Sequence, residues 1–183
     1  MRFSRLLFAT VLLVASTVAA HADTFTYTYT GHDFTSVSAP YTTGDFVTGS
    51  FTLAAPLAAN ESFPDHFQPL SFSFSDGVQT IDSVNANNED FNVGTDSFGA
   101  INQWSIAVVM TAGPFLKDIG TQFQTNPGDR DEGNNVVGEG FNLRNPGHWV
   151  ETVNPSAVPE PSSLMLLGTG ILGLAGVARR KLS

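Results

Sequence analysis

A seven-residue stretch that alternates threonine with aromatic side chains constrains the fold more than any other feature of the chain. Residues 24–30 read TFTYTYT, so an extended backbone places Phe25, Tyr27 and Tyr29 on one side and the threonines on the other. Strict alternation of period two is typical of a β-strand with one buried face and one solvated face. The pattern predicts a sheet that packs one side onto an aromatic core.

The region that follows repeats this kind of pattern and has no long helical period. Residues 70–75 read LSFSFS and precede Asp76-Gly77, a dipeptide that favours a tight hairpin turn before a returning strand at 78–81. Residues 101–111 are rich in β-branched side chains, which predicts a central strand. Further strands are predicted at 46–53, 91–93, 115–119, 136–137, 141–143 and 149–153.

Many short strands separated by turn residues predict an all-β fold, an antiparallel β-sandwich. A jelly roll is one of the Greek-key orders that fit this pattern. Two segments, 54–69 and 125–135, are long enough to be functional loops.

The central region is acidic and contains no cysteine. Sixteen of the seventeen acidic residues lie between Asp23 and Pro155, where the basic residues are Lys117, Arg130 and Arg144. Such a charge repels nucleic acid, so we expect no nucleic-acid partner. The absence of cysteine excludes disulfides, thiolate metal sites and a cysteine nucleophile.

The N-terminal residues have the pattern of a secretory signal peptide. Arg2 and Arg5 precede an apolar run at 6–20, and small residues at Ala20 and Ala22 suit a cleavage site before Asp23. We expect export through the secretory translocon and removal of residues 1–22 by signal peptidase.

The C-terminal residues combine three features in a fixed order. They are the motif Val158-Pro159-Glu160-Pro161, the uncharged apolar run 164–178, and the basic triplet Arg179-Arg180-Lys181. The prolines hold Glu160 in an extended backbone, and the apolar run is shorter than the roughly twenty residues of an ordinary membrane span. The basic triplet is expected to stay in the cytoplasm, which places the central region on the outer side of the membrane.

Together these features resemble the PEP-CTERM sorting tail that exosortase-type membrane enzymes of Gram-negative bacteria recognise. The resemblance is confined to residues 158–183. It implies an inner-membrane-anchored precursor with a C-terminal transmembrane helix, cleavage near the motif by an exosortase-type protease, and a mature form at the cell envelope or outside the cell. It also implies that the mature protein acts in or beside exopolysaccharide. The predicted organisation is a signal peptide at 1–22, an exported β-sandwich at 23–153, a linker at 154–157 and the sorting tail at 158–183.

One segment of the exported region concentrates the hard oxygen ligands that calcium takes. Residues 126–135 read NPGDRDEGNN, but the glycine and glutamate positions do not match an EF-hand. Two interpretations remain open: a solvated polar loop, and a β-sandwich calcium loop with Asp129, Asp131 and Asn134 as candidate ligands. Calcium is the one cofactor that the sequence suggests.

We expect no catalytic residue in the exported region. It has no Gly-x-Ser-x-Gly or zinc-binding spacing, and His32, His66 and His148 are scattered in loop-like surroundings. With sixteen acids, chance carboxylate pairs are uninformative about glycoside hydrolysis. Trp104 is expected in the core and Trp149 on the surface.

These observations favour an exported, non-enzymatic envelope or extracellular-matrix protein of structural or adhesive type. The alternative is a carbohydrate-binding, lectin-like surface module with the same fold. A small glycan-active hydrolase is the third interpretation.

Overall fold

The computed structural model describes residues 22–124 and 128–156, together with residues 168, 170, 171, 178 and 179 of the tail. The chain divides into two compact units, one formed by Asp23–Asn154 and the other by Met1–Ala22 with Pro155–Ser183. The predicted signal peptide lies outside the described residues up to residue 21, as does most of the apolar run 164–178. Within the described part of the chain, no helix has the length and apolar character needed to cross a bilayer.

Twelve β-strands form the unit Asp23–Asn154, and all their pairings are antiparallel. The strands are β1 (Thr24–Thr30), β2 (Ser36–Val37), β3 (Thr48–Leu53), β4 (Asp65–His66), β5 (Ser71–Ser75), β6 (Thr80–Asp82), β7 (Asn88–Thr95), β8 (Ile101–Ala112), β9 (Phe115–Phe123), β10 (Arg130–Asn134), β11 (Glu139–Leu143) and β12 (His148–Asn154).

These strands form two sheets. The five-stranded sheet has the order β12-β1-β3-β5-β6, and the seven-stranded sheet has the order β2-β11-β10-β9-β8-β7-β4. Strands β7 to β11 therefore run as a meander of consecutive neighbours. The sequence left the Greek-key order open, and the structure pairs the first strand, β1, with the last, β12, and β2 with β11. The prediction of an all-β antiparallel fold is confirmed.

The two sheets pack on each other through aromatic side chains. Tyr29 of β1 lies with its ring centroid 5.7 Å from that of Trp104 on β8, and Phe51 of β3 lies 5.7 Å from Phe91 of β7. All four side chains are buried. Large aromatic side chains supply much apolar area per residue, which suits a domain without disulfides.

The alternating pattern of β1 has the predicted consequence. Tyr27 and Tyr29 are buried while Thr28 and Thr30 are exposed. Strand β8 lies inside the seven-stranded sheet between β7 and β9, as its composition predicts. The hairpin that links β5 to β6 turns at Asp76-Gly77, where Gly77 has a φ of +90° that glycine adopts without strain.

Two local predictions are wrong. Residues 136–137 form a turn instead of a strand, because the Asn135 side-chain oxygen accepts hydrogen bonds from the backbone N–H groups of Val137 and Gly138. Residues 130–134 form strand β10 instead of part of a loop. Backbone pairing with β9 on one side and β11 on the other stabilises this strand, although few of its side chains favour sheets.

Candidate functional sites

Strand β10 carries a carboxylate into the space between the two sheets. Because side chains alternate along a strand, Asp131 faces inward and is 1 % exposed, whereas Arg130 is exposed. The Tyr29 hydroxyl donates a hydrogen bond of 2.7 Å to Asp131 Oδ1 and accepts one of 2.7 Å from the backbone N–H of Gly147. Tyr29 thus connects β1, β10 and the segment before β12.

Only one oxygen of the Asp131 carboxylate is hydrogen-bonded to a described residue. Its second oxygen, Oδ2, has no hydrogen-bond partner among the described residues. Burial raises the pKa of Asp131 to about 6, and the neighbouring Thr121, Tyr29 and His32 oppose this rise only in part. Burial also raises the pKa of the Tyr29 hydroxyl well above its ordinary value. The pKa of Asp131 is therefore strongly shifted, as is often seen for functional groups, but its side chain lies away from solvent.

A second buried carboxylate lies at the tip of the β5–β6 hairpin. Asp76 is fully buried, and its Oδ1 accepts hydrogen bonds from the backbone N–H groups of Val78 (2.9 Å) and Gln79 (2.8 Å). Its Oδ2 accepts from the Tyr41 hydroxyl (2.6 Å) and from Gln79 Nε2 (3.0 Å). Asp76 packs on Gly133 of β10 so closely that a Cβ at that position would overlap the carboxylate. This group holds the hairpin of one sheet against the other sheet.

An open surface pocket of about 370 Å³ lies beside the end of β1. Its lining residues are Thr30, Gly31, His32, Asp33, Phe46 and Asn145. The Asp131 carboxylate is behind the pocket wall, because a Cβ on Gly31 would lie 2.5 Å from Asp131 Oδ2. His32 lines this pocket beside Thr30, and among the described residues no side chain is hydrogen-bonded to its imidazole.

The structure separates the three calcium candidates. Asp131 faces the core, while Asn134 lies on the other side of the same strand and accepts a hydrogen bond from the Val136 N–H. Asp129 accepts one from the Gln124 N–H. Within the described ranges, no group of three or more acidic or histidine side chains is placed to hold a metal ion.

The histidines and tryptophans differ in part from expectation. His32 lies in a loop, but His66 belongs to β4 and His148 begins β12. Trp104 is buried as predicted, and its Nε1 donates to Thr121 Oγ1. The expectation of an exposed Trp149 is wrong.

The Trp149 ring packs 5.0 Å from the ring of Tyr29 and 5.3 Å from that of Phe51, and its Nε1 is buried. The indole is thus partly buried and packs against the core. Tyr29 and Trp149 lie directly opposite each other on the paired strands β1 and β12. The sequence gives no sign of this contact until the pairing of the two strands is known.

The predicted sorting residues fall largely outside the part of the chain that the structure describes. Ala20, Val158, Pro159, Glu160, Pro161, Arg180 and Lys181 are outside it. Ala22 and Asp23 are exposed and directly precede β1, and Arg179 is exposed and helical.

One regular surface was missed in the sequence because it depends on strand register. Strands β1, β3 and β5 pair so that their outward residues form three rows of hydroxyl groups, which we call the hydroxyl face. The rows are Thr26–Thr52–Ser71, Thr28–Ser50–Ser73 and Thr30–Thr48–Ser75. Alternation in TFTYTYT and SFSFS was the available signal, but it does not reveal which rows align.

Comparison with known proteins identifies the tail. The family model described as the PEP-CTERM protein-sorting motif matches residues 157–181. The search of curated proteins and the search of solved structures gave no match to this chain. The chain thus has an all-β domain followed by a PEP-CTERM sorting motif. This motif implies an exported protein that is processed by exosortase, a membrane protease.

Proposed function

We propose that this chain is an exported, non-enzymatic protein of the cell envelope or extracellular matrix with a structural or adhesive role. The observation that carries the proposal is the sorting motif at residues 157–181, directly after an acidic two-sheet domain. The expected route begins with export through the translocon and cleavage by signal peptidase. The inner-membrane-anchored precursor is then cleaved by exosortase. The mature form works at the envelope or outside the cell, beside exopolysaccharide.

The buried carboxylates support a non-enzymatic role. Asp76 and Asp131 are the buried acids of the described domain, both connect the two sheets, and neither is among the residues that line the pocket beside β1. Glycoside hydrolysis requires two carboxyl groups on either side of a bound sugar. Both acids are buried away from solvent, which supports the proposed role in binding and cohesion over hydrolysis by this pair.

The carbohydrate-binding alternative is favoured by one observation, the hydroxyl face. Its nine side chains are hydrogen-bond donors and acceptors on the solvent side of the five-stranded sheet. A lectin-like module with this surface would have the same export route and fold. The two functions differ in whether the domain binds a glycan saturably.

Intact mass measurement of the protein recovered from a host with an exosortase tests the proposed route. We expect wild type to begin at Asp23 and to end near Pro159, and the Glu160→Ala variant to retain its tail. The matched control is Glu151→Ala, which removes an exposed acid of β12 outside the motif and leaves processing unchanged. A wild-type product that still ends at Ser183 would contradict the proposal.

A further inference from the structure

The hydroxyl face is a regular array of uncharged polar side chains on the solvent side of the five-stranded sheet. All nine outward positions of β1, β3 and β5 in the three rows are serine or threonine, and each is exposed or partly exposed. The outer side of the seven-stranded sheet instead bears charged groups, including the ion pair of Arg130 with Glu132. The two sheets thus present different chemistry to solvent.

Sheet propensity does not account for the array. Threonine is favoured in strands, but serine is not among the favoured residues, and Ser50, Ser71, Ser73 and Ser75 supply four of the nine positions. Solvated surfaces of soluble proteins ordinarily mix charges of both signs. Nine adjacent uncharged hydroxyls therefore indicate a selected surface chemistry.

Many of these hydroxyls are available to a ligand. Thr26 bonds Thr52 and Asn154, while Thr48 and Ser75 each donate to a backbone carbonyl. The other five, which are Thr28, Thr30, Ser50, Ser71 and Ser73, make no side-chain hydrogen bond to a described residue. Neighbouring rows are about 6.7 Å apart along a strand and neighbouring strands about 4.8 Å apart, so the free hydroxyls recur at a regular spacing.

The chemistry of the array selects among partners. A hydroxyl both donates and accepts, so its natural complement is another surface rich in hydroxyls. The array has no basic group, and the sixteen acids against three bases between Asp23 and Pro155 repel nucleic acid and anionic polymers. It also offers little apolar area, which a stable protein–protein interface needs at its centre. An uncharged glycan meets all these conditions.

We propose that the hydroxyl face binds an uncharged, hydroxyl-rich glycan chain that lies across strands β1, β3 and β5. This inference rests on the carbohydrate-binding alternative above and adds to it the surface and the class of ligand. The face contains no aromatic platform for a sugar ring, so each sugar contributes little. Binding therefore depends on many simultaneous contacts and rises with chain length.

Native affinity electrophoresis tests the proposal on the uncut full chain in a polyoxyethylene detergent. The gels contain one of three neutral polymers, hydroxyethyl cellulose, dextran or laminarin, or the anionic polymer alginate. We expect at least one neutral polymer to retard the protein, alginate not to retard it, and a short oligosaccharide of the same sugar to compete less well than the polymer. No retardation by any of the three neutral polymers, or retardation by alginate alone, would overturn the proposal.

Two matched triple variants locate the binding surface. Thr28→Val, Ser50→Ala and Ser73→Ala together remove the middle row of the hydroxyl face, and we expect the dissociation constant to rise at least about tenfold. The control combines Ser36→Ala, Ser105→Ala and Thr111→Val, which remove the same groups from the outer side of the seven-stranded sheet. It should bind as wild type does.

Unchanged melting temperatures exclude misfolding as the cause. Equal binding by wild type and the middle-row variant, or equal loss in both triple variants, overturns the assignment. Gel filtration tests a second occupant of the hydroxyl face. If wild type is a dimer and the middle-row variant alone is a monomer, the face binds a second copy of the chain and not a glycan, which overturns the proposal. Because the uncut chain is used, the result is independent of the Glu160→Ala mass measurement.

Discussion

Two buried tyrosine–aspartate pairs join the sheets at strand β10, and they differ in how completely their carboxylates are hydrogen-bonded. Asp76 accepts four hydrogen bonds, three from its own hairpin and one from Tyr41. Asp131 accepts one, from Tyr29, and its other oxygen has no partner among the described residues. A buried carboxylate is costly unless it is hydrogen-bonded, so the two pairs should contribute differently to stability.

The difference reflects where each carboxylate lies in the chain. Asp76 begins a turn, where local backbone N–H groups are free to donate to it. Asp131 lies in the middle of a strand, where the neighbouring N–H groups pair with β9 and β11. A turn aspartate thus brings most of its hydrogen-bond donors with it, while a strand aspartate depends on distant side chains.

The largest expected effect is from Asp76→Ala. This change leaves the buried Tyr41 hydroxyl and two backbone N–H groups without an acceptor, so the free energy of unfolding should fall by about 3–5 kcal/mol. Urea unfolding of the full chain in non-ionic detergent measures it. Asp131→Ala is the matched control and should cost only about 1–2 kcal/mol, because it also removes a poorly compensated charge. Equal losses for the two variants would show that the pairs do not differ in this way.

The next effect is the pH dependence due to Asp131. Its pKa is raised from an ordinary 3.8 to about 6 in the folded state, so its contribution to stability is present below about pH 4 and is lost as pH rises through about 6. The loss amounts to about 3 kcal/mol. Asp131→Asn keeps an acceptor for the Tyr29 hydroxyl and should be more stable than wild type at pH 7.5 but not at pH 4.

Urea unfolding at pH 4, 5, 6 and 7.5 compares the two proteins. Asp118, Glu132 and His32 are present in both, so the difference between the curves isolates Asp131. A constant difference across this pH range would contradict the prediction.

The smallest expected effect is from removing the tyrosine hydroxyls. Here the Tyr29–Asp131 pair should lose more stability than the Tyr41–Asp76 pair, which is the reverse of the order for the aspartate variants. Tyr29→Phe removes the partner of Asp131 Oδ1 and the acceptor of the Gly147 N–H, so we expect a loss of about 2 kcal/mol at pH 7.5. Tyr41→Phe leaves Asp76 with three donors and should cost about 1 kcal/mol. Both changes conserve the ring, so core packing is the same in each comparison. A greater loss for Tyr41→Phe would mean that hydrogen-bond count does not govern these pairs.

Much of the fold follows from local pattern. The alternation at residues 24–30, the strand at 101–111 and the Asp76-Gly77 turn are all present as predicted, because alternation and turn preference are properties of short segments. Strand β10 was missed because the residues RDEGN resemble a loop and become a strand only through pairing on both sides. Residues 136–137 were wrongly predicted as a strand because their β-branched side chains outweighed the turn chemistry of Asn135.

The candidate surfaces show the same division. The sequence alone determined the acidic, disulfide-free character of the domain, its all-β class and the sorting motif that the family comparison confirms. Only the tertiary structure decided that Tyr29 meets Asp131, 102 residues away, and that three separate strands align their hydroxyls in rows. The physical reason is that composition and alternation belong to neighbouring residues, whereas register and burial depend on which strands pair and which sheets pack.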